Sequence, residues 1–160
     1  MLAHHLRLTE SKLEKEFEMA TENTSREIYT RLFHKLREVV PDLMTIEESG
    51  KSKVEGYMDL NLDVIHKRSN RIVIALSHYY KHPSGDMIAD PDMELAVYPA
   101  KEMVEALAFQ DCYCYRRVYG NDNATEDTKA KKELNTFLEQ WLTNLIEQGH
   151  CIKADEVEDE

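Results

Sequence analysis

The apolar residues of this chain change their period twice, and that change restricts the fold more than any other feature. Between residues 28 and 40 they recur at helical spacing. Ile28, Leu32, Leu36 and Val39 form one stripe, widened by Tyr29, Phe33 and Val40. From residue 54 the period drops to two. Met58, Leu60, Leu62 and Val64 alternate with Asp59, Asn61, Asp63 and Ile65, and Ile72, Ile74 and Leu76 resume the alternation. From residue 130 the helical period returns, through Ala130, Leu134, Phe137, Leu138, Trp141, Leu142 and Leu145. Side chains recur on one face every 3.6 residues in a helix and every two in a strand, so the pattern reads helix, strands, helix. Strands that follow one another without helices between them form an antiparallel sheet. We therefore expect an α+β domain: a meander of four to five strands, with two N-terminal helices and one long C-terminal helix packed on one face.

Local signals place the boundaries. Ser11-Lys12-Leu13-Glu14 and Thr24-Ser25-Arg26-Glu27 both fit the capping box that opens a helix, and Pro41 stops the second of these helices. His66-Lys67-Arg68-Ser69-Asn70 supplies the polar turn of a hairpin with a loop of about four residues, and we read its basic fragment as part of that turn. Gly85 is expected at positive φ, and Gly149 is a natural helix stop. The extended run from 103 to 119 is too long for one strand, which predicts a break near Gln110-Asp111. The stretch GNDNATED reads as a loop. Residues 1–153 are expected to form one domain, with residues 1–22 its least defined part and 154–160 a disordered acidic tail.

Charge limits the function classes. Thirty-one acidic and 20 basic residues give a formal charge of −11, and removing 154–160 still leaves 26 acids against 20 bases. Nucleic-acid binders neutralise phosphates with clustered Lys and Arg, so this balance disfavours direct binding to RNA or DNA. No apolar run approaches the ~18 residues of a membrane span, and the N-terminus has no signal-peptide block. The expected setting is the cytoplasm, with no membrane association. Three cysteines in such a chain do not make a disulfide framework.

Three constellations are candidates for chemistry. Asp86, Asp90 and Asp92 supply oxygen ligands of the kind that suit hard cations, with His78 and His82 just upstream. An EF-hand is excluded, because Pro91 stands at the sixth position where glycine is needed and Val97 at the twelfth where glutamate is needed. Aspartates also bond backbone amides in turns, and we read this stretch mainly as the turn into a strand that begins at Met93. His78 shares the parity of Ile72, Ile74 and Leu76 and should point into the core. Cys112, Cys114, His150 and Cys151 could be drawn as a zinc site, but Cys-x-Cys on a strand lacks knuckle spacing and reads as small packed side chains. Finally, Tyr113, Tyr115 and Tyr119 share one parity with Phe109 and Arg117, an aromatic and cationic face suited to a protein partner.

The segments SHYYKHPSGDMIADPDMELAVYP, EALAFQD, RRVYG and KKELNTFLEQWLTNLIEQGH together resemble the YqiB-like family of uncharacterised bacterial proteins and its relatives on mobile elements. That resemblance implies a shared α+β fold and no reaction. The leading expectation is a non-catalytic protein-binding module without a cofactor, engaged through the aromatic sheet surface and the 82–92 loop. Two alternatives stand beside it. One is a small metal-dependent hydrolase using His78 with Asp86, Asp90 and Asp92; the other is an acidic mimic of nucleic acid that inhibits a basic partner.

Overall fold

A computed structural model describes residues 26–120 and 125–154. The elements run from helix α1, described over residues 26–39, through strands β1 (Ser49–Ser52), β2 (Leu60–Lys67), β3 (Ile72–Lys81) and β4 (Met87–Tyr98). A 3-10 turn at Pro99–Lys101 then leads to β5 (Met103–Gln110), β6 (Tyr115–Arg117) and helix α2 (Thr128–Gln148). The strands form one antiparallel sheet in sequence order, β1-β2-β3-β4-β5-β6. It is the α+β meander expected from the change of period, with six strands instead of four or five.

One strand, β1, escaped the sequence pattern. β1 is Ser-Gly-Lys-Ser, with no apolar alternation, and it exists because its backbone pairs with Leu60–Asp63 of β2. Gly50 is required there. A Cβ at this position would collide with Ile152 Cγ2, so the strand and the C-terminal segment close directly on one another. β6 appears because the long run breaks as anticipated after Gln110. Asp111 Oδ1 accepts from the amides of Tyr113 and Cys114 and turns the chain back. Among the described residues one α-helix, not two, precedes the sheet. The helix expected around Ser11, both capping boxes and the acidic tail from 155 onward lie wholly or partly outside the described residues.

Both α-helices lie on the same side of the sheet. Leu32, Leu36 and Val39 of α1 and Leu138, Trp141, Leu142 and Leu145 of α2 bury against Leu60, Leu62, Ile74, Leu76, Met93, Leu95 and Val104. The apolar stripes read from the sequence are thus the facing surfaces of this core. Phe137 is the exception, 39% exposed at the rim against Phe109. Helix α2 starts at Asp127, whose side chain accepts from Ala130 N–H, and stops at Gly149 with φ 89°. Asn135 sits inside the interface. Its Oδ1 accepts from Ala106 N–H at 2.8 Å and its Nδ2 donates to Lys131 O at 2.7 Å, which satisfies a strand amide and a helix carbonyl together. No helix among the described residues is long and apolar enough to cross a membrane.

Candidate functional site

Among the described residues no helix lies on the opposite face of the sheet, and the register fixes what that face displays. One row across the strands reads Lys51, Asn61, Ser77, Asp92, Gln110, Tyr115. The next reads Ser49, Asp63, Ala75, Glu94, Ala108, Arg117, and a third reads His66, Val73, Ala96, Glu105. Small side chains at Ala75, Ser77, Ala96 and Ala108 leave the middle of this face low, with charged and aromatic groups standing around it.

Two hollows result, of opposite character. The first, about 550 Å³, lies at the β1–β2 side against Lys51, Asp59, Asn61, Asp63, Tyr79 and Met87. Tyr79 donates to Asp92 Oδ2 at 2.5 Å, and its phenol is pushed up to about 12, by burial first and the Asp92 hydrogen bond second. The second, about 410 Å³, lies under the β2–β3 turn, where Arg68, Arg71 and Arg117 surround Glu94 above Ile65 and Leu107. Arg71 Nε donates to Tyr98 OH at 3.3 Å and Arg117 Nη1 to Tyr115 OH at 2.9 Å. None of the three arginines forms an ion pair with a carboxylate among the described residues. Beside this hollow, Glu105 accepts from the hydroxyls of Tyr98 and Tyr119 at 3.2 Å each. Burial first and Glu105 second push the Tyr119 phenol up to about 12.

The candidates named from the sequence are dispersed by this geometry. His78 points to the helix side as its parity required, and is 7% exposed. Its Nδ1 donates to the Asp59 carbonyl at 2.8 Å, and its ring meets Trp141 edge-on at 5.5 Å. Asp92, on the neighbouring strand β4, belongs to the open face with Tyr79. His82, Ser84 and Asp86 hydrogen-bond among themselves in the turn at Gly85, which has the expected positive φ of 96°. The turn is shorter than anticipated. β4 begins at Met87, so Asp90, Pro91 and Asp92 are already strand residues, with a cis Asp90–Pro91 bond where the register shifts against β3. Asp90 is exposed.

The aromatic face also divides. Phe109 packs towards α2 on Phe137, Tyr115 and Arg117 belong to the open face, and Tyr113 is 92% exposed in the intervening turn. The turn at 111–114 resets the phase, which a single parity across 103–119 could not express. Cys112, Cys114 and Cys151 are all exposed, and the first two are turn residues, not packed strand residues. Desolvation first, then Asp111, raises the Cys114 thiol above its ordinary range. Among the described residues no group of three or more His, Cys, Asp and Glu could hold a metal ion.

Sequence reasoning missed the arginine hollow. His66-Lys67-Arg68 is more than a turn. Lys67 reaches the helix side, where Nζ donates to the Met44 and Ile46 carbonyls at 2.9 and 3.2 Å, while Arg68 remains with Arg71 on the other side. The available signal was a pair of arginines bracketing the hairpin turn; Arg117 joins them only once β6 has folded back.

Fold and surface together define a small antiparallel α+β domain with one helix-covered face and one open, polarised face. The chain belongs to the family described as Domain of unknown function (DUF6908), whose model matches residues 27–151. The matched span includes both helices of the core and all six strands. The comparisons do not extend to the YqiB-like or mobile-element relatives. No curated protein matches the chain. No solved structure matches it either.

Proposed function

We propose that this protein is a non-catalytic binding module whose protein partner docks on the open face of the sheet. The observation that carries the reading is the asymmetry of the sheet. One face is sealed by two helices, and the other presents low ground of small side chains rimmed by tyrosines and by charge of both signs. Such a surface offers shape, aromatic contact area and polar registration, the ingredients of a specific interface. Two features favour it over the alternatives. His78 of β3 and Asp92 of β4 lie on opposite faces of the sheet, which deprives a hydrolase of its imidazole–carboxylate pair. Arginines at one end of the open face interrupt the continuous acidic array that a nucleic-acid mimic requires.

The test places bulk in the middle of the face. Ala75→Arg is compared with the unaltered protein and with Glu147→Arg, a substitution on the solvent side of α2, in recovery of partners from native extract. The reading expects a protein recovered by the unaltered chain and by Glu147→Arg and lost by Ala75→Arg, with all three equally folded by circular dichroism. Recovery that is identical for all three removes it.

A further inference from the structure

We infer that the hollow beneath the β2–β3 turn binds a small phosphomonoester, with the phosphate among Arg68, Arg71 and Arg117 and the rest of the molecule lying on Ile65, Val73 and Leu107 towards Glu94. The hollow lies at one end of the open face, and its test rests on Arg71 and Arg117, not on Ala75.

Three observations lead to it. First, in a chain with 31 acidic residues, three of its eight arginines converge on one concavity and have no carboxylate partner among the described residues. Arg31 pairs with Glu139 and Arg116 with Glu133, and Arg37, which has no carboxylate partner among the described residues, lies over the Phe33 ring; Arg68, Arg71 and Arg117 are instead gathered in one hollow. Guanidinium groups present forked donors that match phosphate oxygens, and three of them against Glu94 leave a local charge of about +2, opposite the −1.5 to −2 of a phosphomonoester.

Second, two register shifts aim side chains into the same hollow. Between Val64 and His66 the extra residue is Ile65, and between Ala106 and Ala108 it is Leu107. Both line the hollow, and Ile65 is 53% exposed. A β-bulge re-aims a side chain at the cost of local pairing, and bulges concentrate beside functional sites. Two of them, on strands β2 and β5, supply an apolar floor that regular alternation would not.

Third, size and polarity fit a single small molecule. About 410 Å³ lies within the range of ligand pockets, and an apolar floor with a few convergent polar groups is their usual composition. Glu94 stays out of ion-pair distance of the arginines around it, which leaves its carboxylate to accept from a hydroxyl or amino group of the ligand.

The experiment is an amide-resolved NMR titration of the isotope-labelled full chain with inorganic phosphate, ribose 5-phosphate, adenosine monophosphate and adenosine in parallel. Shifts are expected at residues 65–71, Glu94, Leu107 and Arg117 with the three phosphate-bearing probes, tighter for the two esters than for inorganic phosphate, and absent with adenosine. An Arg71→Gln/Arg117→Gln double variant should weaken ester binding at least about tenfold, and Arg31→Gln should leave it unchanged. Both arginines are exposed, so the double variant keeps its melting temperature. No localised shifts with any phosphate-bearing probe, undiminished affinity in the double variant, or adenosine binding as tightly as its monophosphate would each overturn the inference.

Discussion

The two faces of the sheet are made by the same strands and do opposite things. On the helix side every second residue is a large aliphatic, and Leu60, Leu62, Ile74, Leu76, Met93 and Leu95 are completely buried. On the open side the alternating partners are Asn61, Asp63, Ala75, Ser77, Asp92 and Glu94, small or charged. Stability therefore resides on one face, and the other is free to vary its chemistry. A substitution should report which side it touches before it reports anything else.

That contrast is broken or sharpened by four measurements. The largest effect is expected for Leu142→Ala, which removes a fully buried side chain from the helix–sheet core and should cost about 2–5 kcal/mol in denaturant unfolding. A loss below ~1 kcal/mol would mean that α2 is loosely seated and that the two faces are less different than their burial suggests. Asn135→Ala comes next. It strands the Ala106 amide in a buried interface, for an expected loss of about 1–3 kcal/mol. The more telling comparison is Asn135→Asp, whose oxygen can still accept from that amide but cannot donate to Lys131 O.

The third measurement is pH. His150 is 3% exposed, with Ser52 Oγ 2.9 Å from its Nδ1 and the His78 ring 5.8 Å away. Burial first, and His78 second, hold its imidazole below the ordinary range. The unfolded chain thus takes up this proton at a higher pH than the folded one does. The contribution to stability is complete above the unfolded value of about 6.5, and is lost as pH falls from there through the lowered folded value. Unfolding measured between pH 8 and 5 should show this decline, and His150→Gln should flatten it. A decline of the same steepness in the variant would assign it to carboxylates instead. The smallest effect is expected for Asp63→Ala on the open face, within about 0.5 kcal/mol of the unaltered protein. A larger loss would show that the open face also holds the fold together.

Period and turn chemistry made the core legible from the chain alone. The stripe on α2, the parity of His78, the four-residue hairpin loop (read at 66–70 and found at 68–71), the break after Gln110 and the glycines at 85 and 149 all follow from local rules, and local rules apply wherever the backbone is regular. What stayed hidden depends on irregularity or on distance. β1 has no apolar signature, since its place is set by the partner strand and by contact with Ile152. The extra residues Ile65 and Leu107 displace the phase by one, which a strict alternation misassigns. The arginine hollow needs both bulges and a strand that returns from residue 115, so nothing in residues 68–71 alone announces it. By contrast, the acidic stretch that stands out in the sequence falls apart in space. Asp86 serves a turn, Asp92 holds Tyr79, and Asp90 faces solvent.

The position of Trp141 has a practical consequence. It is the single tryptophan of the chain, on the helix that closes the core, with its ring edge-on to His78, which in turn adjoins His150. Its emission is accordingly a native optical gauge of the seam between helix and sheet. A change of wavelength or intensity would reveal that seam opening or a proton arriving at His150. Events confined to the far side of the sheet would leave it dark, and that silence is what separates a ligand settling on the open face from a protein coming apart.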